Sequence, residues 1–273
     1  MTALDGINVE TFGTGPRRVV ALHCALGRAA TWSALSRHLE EATITAPDWP
    51  SHGKSVPWTR NDLMLETAIS IAAECIGGEP VDLVGHSYGA LVALHLATER
   101  PELVKSLTLI EPIFLVACAH DAPEVLDSYL ADMLPHFESL MAGDTETAAK
   151  EFIGMWGGGA SWEHIPEPVR AGLVAQIPVI TACRPGDYNS AKDEEALARL
   201  GRLTMPVLLV HGDRTVEIIK VIMQSLARRL PQSESAVIEK AGHMVANTHA
   251  KVIAEILTRF WTEQENRLVS PLC

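Results

Sequence analysis

The sequence predicts an α/β protein with a mostly parallel central sheet and helices on both faces. Short apolar runs alternate with longer segments of helical periodicity along the 273 residues. Strand pattern changes directly into helix pattern within VDLVGHSYGALVALHLA, residues 81–97. A hydrophobic fraction of 47% with 21% charged residues is typical of a chain that buries a large core.

Seven segments are expected to be strands, because each is short and apolar and most are rich in β-branched residues or leucine. They are residues 7–12, 18–22, 43–46, 81–84, 106–110, 207–210 and 236–238. Helical periodicity lies near residues 30–40, 61–76, 88–99, 217–230 and 247–263. This alternation favours parallel strands joined by helical crossovers.

One long segment interrupts the alternation. From residue 115 to residue 203 the pattern contains helices and no convincing strand. We therefore expect a core formed by residues 1–114 and 204–273, and a helical insertion formed by residues 115–203. A structural appendage is the plain interpretation. A cap, or lid, is the sharper one, because open α/β sheets bind ligands at the carboxyl ends of their strands, where the insertion would lie.

Composition disfavours several classes of function. The formal charge of −12 argues against nucleic acid as a partner, and no apolar run approaches the ~18 residues of a membrane span. The first residues show no secretory signal pattern, so a cytoplasmic location is the expectation. The five cysteines are scattered without CxxC spacing, which predicts neither a disulfide framework nor a metal site. Self-association into a homo-oligomer is left open.

The pattern Gly85-x-Ser87-x-Gly89 stands at the junction of a predicted strand and a predicted helix. Such a junction holds its serine in a strained backbone conformation with the hydroxyl exposed, while the glycines allow neighbouring backbone to approach closely. The helix that follows presents its amides to a developing oxyanion. Ser87 is therefore the candidate nucleophile.

A serine nucleophile needs a general base, and that base needs an orienting acid. Among the eleven histidines, His243 follows a late strand in a loop ahead of the final helix pattern. A chain order of Ser, acid and His places the base at that point. His249 is the reserve candidate, but it lies in the first turn of the helix pattern, where a solvated position is the simpler explanation.

With these motifs the chain resembles the α/β-hydrolase fold superfamily of serine esterases, lipases and dehalogenases, with residues 115–203 as its helical cap. The stretch ALHCALGRAATW resembles the oxyanion loop of that family, with Cys24 in the usual glycine position. The resemblance implies that the backbone N–H groups of Ala25 and Tyr88 form the oxyanion hole.

A second stretch, PDWPSHGKS at residues 47–55, resembles an architectural turn of the same family. Three polar residues in or near these loops are therefore expected to be structural and not catalytic: His23, Asp48 and His52.

The acid departs from the family pattern. Family members usually place an aspartate three residues after the glycine that ends a stretch like PVLLVHG, and here that position holds Thr215. Some members place the acid at the end of the strand that follows the nucleophile strand, and there SLTLIEPIF presents Glu111. We expect Glu111 to be the acid. Asp213 is the alternative, and Glu217 or no acid at all are the remaining options.

Together these residues predict a serine hydrolase that acts on a small-molecule substrate without a cofactor or a metal. A serine at the elbow favours acyl transfer to water, so the favoured function is a carboxylesterase for small to medium uncharged acyl esters, with an acyl-enzyme intermediate. Carbon–carbon bond hydrolases, lactonases, amidases and perhydrolases share the triad and stay as alternatives. A non-catalytic small-molecule binder is the alternative outside enzymes. Some of the large apolar residues in the insertion are expected to line the pocket: Met133, Phe137, Phe152, Met155, Trp156 and Trp162.

Overall fold

A seven-stranded sheet is the centre of the computed structural model, which describes residues 2–60, 63–159, 161–183 and 190–269. The strands are β1 Val9–Phe12, β2 Arg17–Leu22, β3 Ala42–Pro47, β4 Val81–His86, β5 Val104–Ile110, β6 Val207–Gly212 and β7 Ser233–Ile238. Their order across the sheet is β1-β3-β2-β4-β5-β6-β7. β1 pairs with β3 in antiparallel orientation, and the other neighbours are parallel. The predicted fold class is confirmed.

Helices fill the connections between the strands. The α-helices of the described residues are α1 Ser33–Ser36, α2 Leu65–Ile76, α3 Tyr88–Glu99, α4 Leu115–Asp121, α5 Pro123–Met141, α6 Thr145–Trp156, α7 Glu167–Gln176, α8 Ile180–Cys183, α9 Ala191–Arg199, α10 Glu217–Arg229, α11 Val245–Thr248 and α12 Ala250–Val269. Short 3-10 helices lie at Ala29–Trp32, Pro101–Leu103, Trp162–His164, Ile177–Val179 and Leu200–Arg202. Within these described ranges, no helix has both the length and the hydropathy that crossing a membrane requires.

Two hydrophobic clusters cover the two faces of the sheet. Val20 and Leu22 of β2 belong to the first cluster, and Val19 and Ala21 belong to the second, because successive side chains of a strand point to opposite faces. Helices α2, α3 and α10 pack in the first cluster, while α1 and α12 pack in the second. Each fully buried aliphatic side chain of this kind contributes about 1.5–3 kcal/mol. The layers on both faces hold the strand ends rigidly.

The parallel strands bring their carboxyl ends to one edge of the sheet. His86 lies in register with Ile110, and Gly212 lies in register with Ile238. The candidate residues of the site follow these strand ends and so share this edge: Ala25, Ser87, Glu111, Thr215 and His243.

Between β5 and β6 the described residues form helices and no strand. Helix α4 packs against α10, and α9 packs against α3, so both ends of the insertion rest on helices of the core. Helices α5, α6 and α7 pack on one another in sequence. Ala160 and residues 184–189 belong to the predicted cap and lie outside the described residues. The division into a core and a cap stays a prediction.

Some predicted helices differ in their bounds. The segment near residues 30–40 forms a 3-10 helix followed by the short α1, with no side-chain cap at either start, because Thr31 and Trp32 favour helix weakly. The segment 247–263 divides into α11 and α12 at His249, whose φ of −128° leaves the helical region. The helix predicted over 61–76 begins at Leu65, and residues 61 and 62 lie outside the described ranges.

Candidate active site

The elbow holds its serine in an unusual backbone conformation. Ser87 has φ 54° and ψ −115°, in a region that residues with a side chain rarely adopt. A Cβ atom on Gly85 would lie 2.4 Å from the carbonyl oxygen of Gly89, and a Cβ atom on Gly89 would lie 2.1 Å from the carbonyl oxygen of Leu22. Both flanking positions therefore require glycine. The Ser87 N–H donates to the carbonyl of Ile110 over 2.9 Å, which ties the elbow to β5.

Ser87, His243 and Glu111 form a continuous chain of hydrogen bonds. The Ser87 hydroxyl donates to Nε2 of His243 over 3.0 Å, and Nδ1 of His243 donates to Oε2 of Glu111 over 3.0 Å. The three residues are buried, with exposed fractions of 6%, 4% and 0%. An imidazole in this tautomer can accept the serine proton, while the carboxylate stabilises the cation that results.

The carboxylate of Glu111 also accepts hydrogen bonds from the end of β6. Its Oε1 accepts the backbone N–H of Gly212 over 2.7 Å, and its Oε2 accepts the hydroxyl of Thr215. The backbone of Glu111 has φ 51°, in the left-handed region. Thr215 occupies the position where the family pattern places the acid, and it serves there as a donor to Glu111.

The alternative acids and the reserve base lie away from the elbow serine. Asp213 is exposed, and within the described residues its side chain has no hydrogen bond and no ion pair. Glu217 is exposed and forms an ion pair with Lys220 over 3.4 Å. Nδ1 of His249 lies 2.8 Å from the hydroxyl of Thr248. The structure therefore brings none of these residues to Ser87.

The backbone N–H groups of Ala25 and Tyr88 are the oxyanion donors that the family resemblance implies. Ala25 lines the same cavity as Ser87, and Tyr88 begins α3 directly after the serine. Neither N–H has a hydrogen-bond acceptor among the residues that the structure describes. The next residue of the loop, Leu26, donates its N–H to Nε2 of His52 over 3.1 Å, which holds the loop in place. Free N–H donors beside a nucleophile are the arrangement that stabilises an oxyanion.

The residues expected to be structural hold the loops around the elbow. Asp48 accepts the backbone N–H of Ala29 over 2.6 Å and the side-chain amide of Asn8 over 2.8 Å. Burial lowers the pKa of His23 to about 3 and the pKa of His52 to about 4, so both rings are neutral near pH 7. Nε2 of each ring accepts a backbone N–H.

His86 and Trp156 also contact His243. Neither contact was predicted from the sequence. Nε2 of His86 donates to the backbone carbonyl of His243 over 2.9 Å, and burial lowers the pKa of His86 to about 4, which keeps its ring neutral. The indole of Trp156 packs on the His243 imidazole, with ring centroids 4.5 Å apart. His86 precedes Ser87 in the chain, so its place near the serine could have been expected from the sequence. The contact of Trp156 has no local signal, because it depends on how the insertion folds.

A cavity of about 760 Å³ has Ser87 and His243 in its wall. Two of the residues expected in the pocket do not line this cavity: Trp162 packs in a small hydrophobic cluster of the insertion, and Met155 packs against the main core. A mostly apolar wall and this volume are typical of a small-molecule site. The remaining four expected residues line the cavity: Met133, Phe137, Phe152 and Trp156.

Residues 19–256 match the family model described as the alpha/beta hydrolase family. The chain belongs to this family. The hydrolase is 32% identical over 224 residues to the pimeloyl-[acyl-carrier protein] methyl ester esterase of Neisseria meningitidis. The aligned region covers 80% of this chain and 81% of that protein. It is also 35% identical over 157 residues to the lipase LipV of Mycobacterium tuberculosis, and this aligned region covers 55% of this chain and 56% of that protein. With such relatives, the protein is a carboxylic ester hydrolase of the alpha/beta hydrolase type.

Solved structures share the fold of this hydrolase. A thermophilic esterase from Thermogutta terrifontis matches it with a TM-score of 0.69 and 21% identity, over 94% of this chain and 93% of that one. A haloalkane dehalogenase loop variant from Bradyrhizobium elkanii matches with a TM-score of 0.71 and 18% identity, over 96% and 95% of the two chains. At sequence identities this low, the structural similarity shows a shared fold and nothing more.

Proposed function

We propose that the hydrolase is a serine carboxylesterase in which Ser87 is the nucleophile, His243 is the general base and Glu111 is the orienting acid. The observation that carries the proposal is the unbroken hydrogen-bonded chain from the Ser87 hydroxyl through His243 to Glu111. Membership of the alpha/beta hydrolase family, with an esterase and a lipase among its relatives, supports the same chemistry.

In the proposed reaction, Nε2 of His243 takes the hydroxyl proton as Oγ of Ser87 attacks the ester carbonyl. The backbone N–H groups of Ala25 and Tyr88 stabilise the tetrahedral oxyanion. The imidazolium, stabilised by Glu111, gives its proton to the departing alcohol and leaves an acyl-enzyme. A water molecule activated by the same imidazole then releases the acid and restores Ser87. Side chains and backbone amides complete this cycle without a cofactor or a metal.

We further propose that the substrates carry small to medium acyl groups, and that the part of the acyl group in contact with the cavity wall is uncharged. The volume of about 760 Å³ and the apolar side chains contributed by α5 and α6 support this size and character. Residues 115–203 then act as a cap that shapes the pocket. The Neisseria meningitidis relative is named a methyl ester esterase, so methyl esters of such acyl chains are suitable first substrates.

Labelling with a fluorophosphonate tests the nucleophile. The intact chain should form a covalent adduct that mass spectrometry maps to Ser87, and Ser87→Ala should form none. An intact chain that does not react would favour the non-catalytic binder. A series of p-nitrophenyl esters then measures the preferred acyl length. Turnover of a β-diketone without turnover of any ester would assign the protein to the carbon–carbon bond hydrolases.

A further inference from the structure

The described wall of the cavity that contains Ser87 lacks the excess of carboxylates that the whole molecule carries. The chain carries 34 aspartates and glutamates against 22 lysines and arginines. Among the described residues that line the cavity there is no aspartate and no glutamate, and Arg28 is the one side chain with a permanent positive charge. A cleft of one sign raises the local concentration of ligands of the other sign. An anionic group that enters the cavity therefore meets no carboxylate among the described wall residues and can pair with Arg28.

The guanidinium of Arg28 is available to a ligand. Arg28 is exposed, and in the described part of the chain it takes part in no hydrogen bond through its side chain and in no ion pair. By contrast, Arg229 is paired with Asp121 over 2.6 Å. Arg28 also lies three residues after Ala25, in the loop that supplies one of the proposed oxyanion donors. Arg28 is thus one of the residues that line the cavity next to the proposed oxyanion loop.

Polar side chains line the same cavity beside Arg28. Thr31 and Asn247 make no side-chain hydrogen bond to any residue that the structure describes. A guanidinium presents a planar set of N–H donors that matches a carboxylate or a phosphate, and a hydroxyl and an amide add further donors. The cavity therefore combines an apolar wall for a chain with donors and a cation for an anionic group.

We propose that Arg28 determines specificity and that the hydrolase prefers esters bearing an anionic group, a carboxylate or a phosphate, remote from the ester bond. This inference rests on the proposed function, because it concerns the substrate of the Ser87 site. It refines the proposed substrate: the chain against the apolar wall is uncharged, and the charge lies at its far end.

Matched pairs of substrates test the preference. The monomethyl esters of adipic and suberic acid are compared with the methyl esters of hexanoic and octanoic acid, and methyl ω-hydroxyhexanoate is compared with its phosphate monoester. We expect kcat/KM of the native chain to favour the anionic member of each type by on the order of tenfold. Arg28→Gln should remove most of this preference, because it should raise KM for the anionic esters more than KM for the neutral ones. Arg28→Lys should keep part of it.

Arg37→Gln is the matched control, because Arg37 is exposed in the same segment and does not line the cavity. It should leave the preference unchanged, whereas high salt should weaken the preference of the native chain. A preference for only the carboxylate or only the phosphate identifies the source of the anion. Equal turnover of anionic and neutral esters by the native chain overturns the inference, as does an equal loss on both with Arg28→Gln. A chain that hydrolyses no ester overturns the proposed function instead.

Discussion

Two neighbouring strand ends meet at the carboxylate of Glu111, which contacts the imidazole of His243. Glu111 follows β5, and Thr215 follows β6 and donates its hydroxyl to the same carboxylate. A glutamate has one methylene more than an aspartate, and this length suits an approach to Nδ1 from the β5 side. The two positions therefore cooperate: one supplies the charge, and the other supplies a hydrogen bond that keeps the charge oriented.

Replacing Glu111 with glutamine should lower kcat by on the order of 10³ to 10⁴ while KM changes little. The glutamine keeps the shape of the side chain, but it cannot stabilise the imidazolium that forms in the transition state. Steady-state kinetics with a p-nitrophenyl ester measure the effect. Asp213→Asn is the control and should cost less than about tenfold, since Asp213 is exposed. The reverse order of sensitivity would transfer the role of acid to Asp213.

Thr215→Asp in the Glu111→Gln background should restore part of the lost kcat. It places a carboxylate at the β6 strand end, where the hydroxyl of Thr215 already reaches the carboxylate of Glu111. Recovery of at least about tenfold relative to Glu111→Gln alone would indicate that both strand ends address the same imidazole. An absence of recovery in a double variant with an unchanged circular dichroism spectrum and Tm would contradict this geometry.

Among the elements, the end of α6 contacts the loop that carries His243. Trp156 packs on His243 and also against Tyr129, and the ring centroids of Trp156 and Tyr129 are 5.8 Å apart. A Cβ atom on Gly242 would lie 3.2 Å from the Cα atom of Gly158, so the two backbones are in direct contact. The position of the imidazole consequently depends on α5 and α6 as well as on the sheet.

Trp156→Leu should lower kcat for a short acetyl ester by on the order of tenfold, because a small displacement of the base is costly to proton transfer. Trp156→Phe should lose less, since it keeps an aromatic ring against the imidazole. Phe152→Leu is the matched control: Phe152 lines the same cavity, and its ring packs with His136. It should raise KM for long acyl esters and leave kcat for the acetyl ester nearly unchanged. Equal kcat losses in both leucine variants would argue against a specific contact with His243.

The elements differ in how far the sequence could predict them. Each of the seven strands overlaps its predicted segment. The signal is strongest for central strands such as β4 and β5, because buried parallel strands leave continuous apolar runs. The elbow was predictable for a similar reason, since its two glycines answer local steric demands. The contacts of Trp156 with His243 and of Thr215 with Glu111 were not, because they join segments that are distant in the chain. The assignment of catalytic roles to Ser87, His243 and Glu111 stays a prediction.

On the scale of the whole molecule, three buried neutral histidines should make the fold sensitive to mild acid. Burial lowers the pKa of His23 to about 3 and the pKa values of His52 and His86 to about 4. An unfolded chain protonates its histidines near pH 6.5, so between about pH 6.5 and pH 4 the unfolded state binds more protons than the folded state. The free energy of unfolding should therefore fall as the pH is lowered through this window.

Urea unfolding at several pH values between about 7.5 and 4.5 measures this dependence. His38→Gln is the control, because His38 is exposed, and it should leave the slope unchanged. His52→Gln should make the slope shallower, even though it lowers the stability at neutral pH by removing the acceptor of the Leu26 N–H. A stability that stays constant or rises on acidification would contradict the burial of neutral rings.

If Ser87 and His243 have the roles proposed for them, the distance between them along the chain also sets when activity can arise. Ser87 and His243 are 156 positions apart, and Glu111 and His243 are 132 positions apart. Contacts between such distant segments form slowly, because the entropy cost of closing a long loop precedes the stabilisation that the contact provides. During synthesis the elbow leaves the ribosome well before the histidine, so the nascent chain carries an inert serine. In refolding, local helices can restore the far-UV signal while hydrolysis is still absent. Enzymatic activity thus reports the last stage of folding, and a partly folded chain does not hydrolyse the ester.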